Sequence, residues 1–465
     1  MIISTAPQKR QNRTVVLHLG NTLAEYKAWL ATEEHKDELL RRVKIADGLN
    51  WCHLADGHHP ECQRCLRFTH HGSYSRWLQD FNGQCQLMSI QRIRCQDCGA
   101  VFSILPSFVV RYKRWHTDAI EKLMVLLFFV EDSYRMAGVS QAFGIDAEQS
   151  GSWVALERTA GEAISPMALW RLVQWFGQLS PAQLNLALGV EPPSHIIEDE
   201  KHMRQSGEKA YVPMIYAPKE ALIWWIDYID SVSEAALTAS LERFKAINER
   251  LGQITGATVD GWDPAQNALR KAFPGVTLAE CHLHAMLKFA EHLATYKRQR
   301  KTAGLPVPDA EETQIRNAFL RVLQATTEQE YKKALAELPQ AFDSDPLASR
   351  KQSLTAKQTL FQAWITDGKL ALVSTALDQC MKFLNRKQDN MQTLHNDRSG
   401  LATMNAWAIT RNCWRFLKGA LRAGLAPLEL AGADFQGIPW MQLVNLVLSG
   451  WQTLHLSACL RPTST

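Results

Sequence analysis

Apolar residues recur along this chain with two different periods, one typical of α-helices and one typical of β-strands. Residues 1–48 hold a polar lead-in and an amphipathic helix at roughly 22–46. Residues 49–115 carry alternating, β-prone stretches such as "LMSIQRIRC". Both periods together predict an α+β protein, and 465 residues are too many for one ordinary core, so we expect several domains.

Helical periodicity returns over residues 116–192. The segment "AFGID" at 142–146 places a glycine-containing turn between two helices. A small first helix, such a turn and a polar second helix are typical of a helix-turn-helix that binds DNA. A helical hairpin without a DNA-binding role has a similar pattern, and that alternative stays open.

Residues 193–284 change to a mixed pattern. The runs "HIIED", "YVPMIYAP" and "ALIWWIDYI" predict three antiparallel strands. A helix, the strand "GATVDG", a second helix that starts near Pro264, and the strand "VTLAEC" follow. The predicted order is βββαβαβ. Residues 285–395 are then predicted to be a helical insertion, and 396–465 to hold the last part of the same catalytic domain, beginning with a long helix, and C-terminal helices.

Composition and charge narrow the class of protein. The chain is 46% hydrophobic and 21% charged, and it contains no apolar run long enough for a membrane helix and no basic-then-apolar leader. We therefore expect a cytoplasmic protein with no membrane partner. Residues 1–115 hold 16 Lys and Arg against 10 Asp and Glu, a balance that attracts polyanions.

Two basic runs are candidates for contacts with DNA phosphates. One is "RYKRW" at 111–115, and the other is "YKRQRK" at 296–301. The second run could also be a solvated helix face. The candidate residues are Arg111, Lys113, Arg114, Lys297, Arg298 and Arg300.

Four cysteines in two Cys-x-x-Cys pairs flank the β-prone part of residues 49–115. Such pairs on two tight turns can supply four thiolates to a tetrahedral structural zinc with no open position for catalysis, a zinc ribbon. A redox pair or unlinked buried thiols is the alternative. The predicted zinc ligands are Cys62, Cys65, Cys95 and Cys98.

Two carboxylates are predicted to meet at one edge of the βββαβαβ sheet. Asp199 ends the first strand and Asp260 ends the fourth, and this order, an RNase H-like arrangement, places them side by side. Two carboxylates about 4 Å apart repel by roughly 4 kcal/mol at an effective dielectric of 20, so the site requires a cation such as Mg²⁺ or Mn²⁺. Each aspartate could instead simply end its strand before a turn.

Three segments resemble bacterial insertion-sequence transposases of the RNase H-like DDE superfamily, especially Mutator-like ones. They are "IIEDEKHMRQSGEKAYV", "ATVDGWDPAQNALRKAFPGVTLAECHLH" and a late Trp-rich helix. The resemblance implies that Asp199 and Asp260 are the first two catalytic acids, and that Cys281 and His284 form the family's Cys-x-x-His. It also implies double-stranded DNA partners at transposon ends and target, a homodimer or higher oligomer, and a bacterial nucleoid-associated location.

The third acid departs from the family's pattern. Aligning "RSGLATMN" on the family's motif places Ala402 where a glutamate usually stands, so the acid is either shifted to Asp397 or lost. Asp397 also suits an ordinary helix start electrostatically. A domesticated DNA-binding regulator and a nuclease without strand transfer therefore remain alternatives to an active transposase.

The Cys-x-x-His pair also leaves alternatives. Cys281 and His284 could bind zinc together with a distant pair, but no second pair with matching spacing follows. They could otherwise order the local backbone or approach DNA.

The zinc ribbon generates the first testable prediction. We expect the purified protein to contain about one tightly bound zinc per chain, because a structural zinc contributes about 10–16 kcal/mol to small modules. Cys95→Ser should release this zinc and weaken DNA binding while the rest of the chain stays folded. Metal analysis by mass spectrometry checks the zinc content, and a value near zero in the unmodified protein would contradict the ribbon.

Overall fold

The chain is an α+β protein with two mixed sheets, which confirms the predicted class. The computed structural model describes residues 14–47, 67–81, 84–96, 99–130, 164–205, 208–391, 396–415 and 422–449. The chain divides into two compact units. The first comprises Met1–Glu191, Asp389–Gln392 and Arg398–Thr465, and the second comprises Pro192–Gln388 and Thr393–Asp397.

Strands and helices are numbered here in chain order. The strands are β1 (Thr14–Leu17), β2 (Phe68–Gln79), β3 (Cys85–Cys95), β4 (Val101–Pro106), β5 (His195–Gln205), β6 (Glu208–Ala217), β7 (Leu222–Ile226), β8 (Gly256–Val259) and β9 (Thr277–Glu280). The α-helices are α1 (Leu23–Leu30), α2 (His35–Asp47), α3 (Thr117–Val125), α4 (Pro166–Phe176), α5 (Pro181–Ala187), α6 (Glu234–Lys245), α7 (Asp263–Ala272), α8 (His282–Thr302), α9 (Asp309–Leu323), α10 (Glu328–Ala336), α11 (Leu347–Ala356), α12 (Gln358–Thr366), α13 (Thr375–Met391), α14 (Asp397–Cys413), α15 (Pro427–Leu430) and α16 (Trp440–Leu448). None of these helices is both long and apolar enough to cross a membrane.

The first unit is built on a four-stranded sheet in the order β1-β4-β3-β2. The strands β2, β3 and β4 are antiparallel neighbours, whereas β1 pairs with β4 in parallel. Burial alternates along the last part of β3, because Ile93 and Cys95 are buried while Arg94 between them is exposed. The β-prone stretch therefore folds as the sequence pattern predicts.

The predicted boundary at residue 48 does not separate two cores. Val16 of β1 and Leu39 of α2 are buried in the same apolar cluster as Ile104 of β4 and Leu446 of α16. The sequence pattern missed this because β1 has only four residues and its partner strand lies far along the chain. Residues 14–47 therefore contribute to the first unit's core.

The C-terminal region also differs from the prediction. The sequence assigned 396–465 to the last part of the catalytic domain, but residues from Arg398 onward belong to the first unit. The Asn405 side chain donates to the Gly177 carbonyl at 3.1 Å, and the Asn445 side chain donates to the Ser107 carbonyl at 2.8 Å. Burial around most of α14 explains the assignment, since such a helix requires a core on several sides.

The second unit has a five-stranded sheet in the order β7-β6-β5-β8-β9. The chain order of its elements is the βββαβαβ pattern that the sequence predicts for 193–284. The strands β5, β6 and β7 are antiparallel, whereas β5, β8 and β9 are parallel. Because β8 and β9 follow helical crossovers, their carboxyl ends lie at the same edge of the sheet as that of β5.

Helices follow the sheet from α8 to α13 within the predicted 285–395 stretch. They have a core of their own, in which the rings of Phe289, Phe319 and Phe342 stack; the centroids of Phe289 and Phe319 are 4.1 Å apart. This independent core allows the insertion to leave the sheet after β9 and return at α13.

The contact between Gly177 and α14 generates a second prediction. A Cβ atom at Gly177 would lie 1.7 Å from the Ala402 carbonyl oxygen, which is backbone and has little freedom to move. We expect Gly177→Ala to lower the free energy of unfolding by about 1–3 kcal/mol, as overpacking does. Urea unfolding measures the change.

Gly368→Ala is the matched control, because no heavy atom lies within 4 Å of the Cβ position there. It should change the free energy of unfolding by no more than about 0.5 kcal/mol. Equal stability of the two variants would contradict the packing of α14 on this part of the chain.

Candidate metal centre

The parallel register of the second sheet brings the two predicted acids together. Ile197 pairs with Thr258 between β5 and β8, so Asp199 and Asp260 each lie two residues further along, at the carboxyl edge. After burial, the negative charge of Asp260 contributes to the raised pKa of Asp199, as expected for carboxylates on adjacent strands. The structure therefore gathers these residues as the sequence predicts, whereas their catalytic role stays a prediction.

Asp199 is buried, and both of its carboxylate oxygens have close neighbours. Its Oδ1 atom accepts a hydrogen bond from the Glu200 amide at 2.8 Å, and its Oδ2 atom lies 3.7 Å from the His284 Nε2 atom. Burial raises the pKa of Asp199 to about 6, although the charge of His284 opposes this. A buried carboxylate in this state is stabilised by any cation that reaches it.

Asp260 is more accessible than Asp199. Its Oδ1 atom accepts the Trp262 amide at 2.5 Å, and its Oδ2 atom lies 3.4 Å from the Lys288 Nζ atom. The loop after β8 therefore fixes one oxygen, and α8 supplies a cation to the other.

Cys281 and His284 lie at the junction of β9 and α8. The Cys281 amide donates to the Val259 carbonyl at 2.9 Å, which continues the β8–β9 pairing by one residue. The thiol is buried, and His284 follows one turn later on α8. The pKa of His284 is raised to about 9, first by its interaction with the Cys281 side chain and then by the charges of Asp199, Cys281 and Asp260. The pair therefore places the His284 ring against the first acid.

Asp378 completes a group that could hold a metal ion, and the sequence did not predict it. One ligand atom from each of Asp199, His284 and Asp378 lies within 4.8 Å of the other two. Asp378 is in the first turn of α13, the helix that follows the helical insertion. An aspartate at a helix start is so common that it carries no signal by itself. Because Asp378 lies within the predicted insertion of 285–395, the sequence offered no signal that it approaches β5.

Asp397 lies elsewhere. It is exposed in the first turn of α14, and its charge raises the pKa of Tyr228, which follows β7. Ile226, the last residue of β7, lies level with Asp199 but two strands away, at about 9–10 Å. No described hydrogen bond or ion pair joins Asp397 to Asp199 or Asp260. The structure therefore favours Asp378 as the third acid at this edge.

Two further carboxyl groups flank Asp199 on β5. Glu198 is 4% exposed, and burial raises its pKa well above the ordinary value. Burial, followed by the charge of Asp199, raises the pKa of Glu200 to about 8. One buried oxygen of each group has no hydrogen-bond partner among the described residues. Proton uptake is the physical response of such groups, so β5 adds less negative charge than its "EDE" sequence suggests.

Two lysines balance the remaining acids. Lys288 lies beside Asp260, as described above. The Lys357 Nζ atom donates to the Gly261 carbonyl at 2.9 Å and lies 3.6 Å from an oxygen of Glu280, which is 5% exposed. Both lysines come from the helical insertion, so the insertion supplies positive charge to the carboxyl edge.

The donor atoms fit a divalent cation. Carboxylate oxygens suit Mg²⁺ and Mn²⁺, and an imidazole nitrogen suits Mn²⁺ better than Mg²⁺. The His284 Nδ1 atom is buried without a hydrogen-bond partner among the described residues, so this ring has a nitrogen that the protein leaves unsatisfied. The site therefore offers carboxylate and imidazole donors that could hold a divalent cation.

The basic segment at 111–114 belongs to the first unit. Its backbone is held by Arg76, whose guanidinium donates to the Val110 carbonyl at 2.9 Å and to the Lys113 carbonyl. Arg114 is exposed, whereas burial lowers the pKa of Lys113, and the charge of Arg171 lowers it further. Arg111 lies 4.9 Å from the Tyr112 ring centroid. Of the three predicted DNA contacts here, Arg114 is the most accessible.

The second basic run lies on α8. Lys297 forms an ion pair with Glu312 of α9, while Arg298 is exposed and Arg300 is partly buried. The solvated-face alternative therefore fits Arg298, and a contact between these residues and DNA stays a prediction.

The zinc ligands are mostly outside the described residues. Cys95 ends β3, is fully buried, and its amide donates to the Ala100 carbonyl at 2.8 Å. Cys62, Cys65 and Cys98 fall outside the described part of the chain, as does the 142–146 turn of the predicted helix-turn-helix. The zinc ribbon and the helix-turn-helix therefore stay predictions.

A known protein family matches part of the first unit. Residues 59–129 match a family described as Domain of unknown function (DUF6431). This stretch contains the four predicted zinc cysteines and the hairpin of β2 and β3. A search of curated proteins finds no match to the chain.

The metal centre generates a third prediction. We expect Asp378→Asn to weaken Mn²⁺ binding at least about 100-fold, because even residues that only orient metal ligands contribute about 10–100-fold. Asp397→Asn, the matched control, should bind Mn²⁺ as the unmodified protein does. Electron paramagnetic resonance of free Mn²⁺ measures both affinities. The opposite ranking would identify Asp397 as the ligand and contradict this centre.

Proposed function

We propose that this protein is a DNA transposase of the RNase H-like DDE type. It would cut phosphodiester bonds at the ends of an insertion sequence and join those ends to target DNA. The observation that carries the proposal is the grouping of Asp199, His284 and Asp378, with ligand atoms within 4.8 Å, beside Asp260 at one sheet edge.

The order of strands and helices supports the RNase H-like assignment. Three antiparallel strands are followed by two parallel ones. Asp260 follows the fourth strand as expected, whereas Asp199 lies within the first strand, two residues beyond its last pairing with the fourth, because that strand continues to Gln205. Related transposases have an all-helical insertion between the second and third acids. Here α8–α12 separate Asp260 from Asp378, so the third acid of the proposal has the same relation to the insertion.

The proposed chemistry is phosphoryl transfer. Asp199, Asp260 and Asp378 would hold Mg²⁺ or Mn²⁺, which when bound activates the attacking oxygen and stabilises the leaving one. Water attacks phosphorus as the bond from phosphorus to the 3′-oxygen breaks, and the attacking oxygen gives up its proton to solvent. The leaving 3′-oxygen takes up a proton from solvent. The resulting 3′-hydroxyl then attacks phosphorus in target DNA and loses its proton, while the bond from that phosphorus to the target's 3′-oxygen breaks and this oxygen takes up a proton. The Glu200 amide orients Asp199, and Lys288, partly exposed beside Asp260, is placed to approach the phosphate.

DNA binding is assigned to the N-terminal modules. The zinc ribbon of 49–115 and the helix-turn-helix within 116–192 would bind the transposon ends, with Arg114 contacting phosphate. Both ends must be held together for transfer, so we expect a homodimer or a higher oligomer on DNA. The bacterial nucleoid would be its location.

A second function is favoured by one observation. Ala402 stands where the related transposases carry a glutamate, and it is buried in the first unit against Gly177. A DNA-binding protein that keeps the fold without cleavage would tolerate this residue. Cleavage assays separate the two functions.

The proposed function gives a fourth prediction. Labelled duplexes copied from the DNA on each side of the gene should be cut and joined to a plasmid in Mg²⁺ or Mn²⁺. Asp199→Asn and Asp260→Asn remove charge with little change in shape, so they should abolish cutting while binding survives. Asp343→Asn is the matched control, because this aspartate pairs only with Lys351 on the surface of the second unit.

Three outcomes would contradict the transposase. Binding without metal-dependent cutting would identify a DNA-binding protein, and cutting without joining would identify a nuclease. Full activity in Asp260→Asn would refute the site itself.

A further inference from the structure

A buried serine lies at the start of α13, directly before the helix that carries Asp378. Ser374 is 2% exposed, and its carbonyl accepts the amides of Leu377 and Asp378 at 2.8 and 3.0 Å. It therefore occupies the N-cap position, where a serine hydroxyl usually accepts an amide of the first turn. The described hydrogen bonds of the Ser374 hydroxyl are instead to the Asp378 carboxylate and the Cys281 thiol.

The Ser374 hydroxyl joins Cys281 to Asp378. It donates to the Asp378 Oδ2 atom at 3.0 Å, and it accepts from the Cys281 thiol, whose sulfur is 3.4 Å away. The Ser374 amide donates to the same sulfur at 3.2 Å. Two bonds thus fix Ser374 to the end of β9, and a third fixes one oxygen of Asp378.

Two of the candidate ligands are therefore tied to one buried thiol. Cys281 is the N-cap residue of α8, which carries His284, and its thiol reaches Asp378 on α13 through Ser374. These helices lie on either side of the insertion, and their separate motion would change the distance between the ligands. A hydrogen bond to a ligating carboxylate holds its orientation and is a known requirement of metal sites.

We infer, on the basis of the proposed metal-dependent chemistry, that Ser374 and Cys281 are positioning residues that hold Asp378 and His284 at the separation that a divalent cation requires. Neither residue touches the metal or the DNA. The hydroxyl orients Asp378, and the thiol links that hydroxyl to the ligand on α8. This assigns the Cys-x-x-His cysteine a role beside its histidine that does not involve zinc.

The test measures Mn²⁺ affinity without DNA. Ser374→Ala should weaken Mn²⁺ binding by about 10–100-fold, the effect of losing a residue that orients a ligand. Ser240→Ala is the matched control, because Ser240 is also buried in the second unit and accepts the Trp225 indole N–H at 3.1 Å. It should lose stability without losing Mn²⁺ affinity.

A double-mutant comparison separates positioning from general stability. In an Asp378→Asn background, Ser374→Ala should cause no further loss of Mn²⁺ affinity, because its effect passes through Asp378. If Ser374→Ala does not fold, Cys281→Ala replaces it in the same comparison, with the same expected loss.

The outcomes distinguish this inference from the proposed function. If the unmodified protein binds Mn²⁺ and Ser374→Ala binds it as Ser240→Ala does, the positioning role is wrong and the metal centre stands. If Ser374→Ala weakens binding but no DNA is cut, the positioning role stands and the transposase does not. An unmodified protein that binds no Mn²⁺ overturns both.

Discussion

Repulsion among buried carboxylates is the constraint on which the second unit depends. Each pair about 4 Å apart opposes folding by roughly 4 kcal/mol at an effective dielectric of 20, and burial adds to that cost. Three features reduce this repulsion. Lys288 lies beside Asp260, and His284 lies beside Asp199. Burial and the charge of Asp199 raise the pKa of Glu200 to about 8, which favours its uncharged form. A divalent cation would complete the balance.

The topology of the unit follows from this constraint. Parallel strands place acids at one edge, but parallel pairing requires crossovers, which α6 and α7 provide. The insertion then carries positive charge to that edge and returns the chain for the third acid. Because the insertion has its own core, its length adds little strain to the return. Hydrogen bonds between Cys281, directly before α8, and Ser374, directly before α13, join the two ends of the insertion.

The sequence pattern predicted the features that depend on short stretches of the chain. The strands of residues 193–284, and the meeting of Asp199 with Asp260, follow from periodicity and from the geometry of parallel strands. Asp378 was missed because an aspartate at a helix start is ordinary, and only the folded insertion brings it to β5. The pairing of β1 with β4, and the burial of α14 in the first unit, depend on contacts between distant segments that no short window contains.

The position of Asp378 also explains why a chain with alanine at residue 402 can retain three acids. A carboxylate in the first turn of α13 is stabilised by the positive end of the helix dipole, and Ser374 donates a hydrogen bond to it. A glutamate at residue 402 would lie inside α14, where the alanine is 8% exposed and its carbonyl faces Gly177. Burying a charge there without a partner costs several kcal/mol, so packing in the first unit favours alanine. Alanine at residue 402 is therefore not by itself a sign of lost chemistry, because Asp378 on α13 provides a further carboxylate beside Asp199.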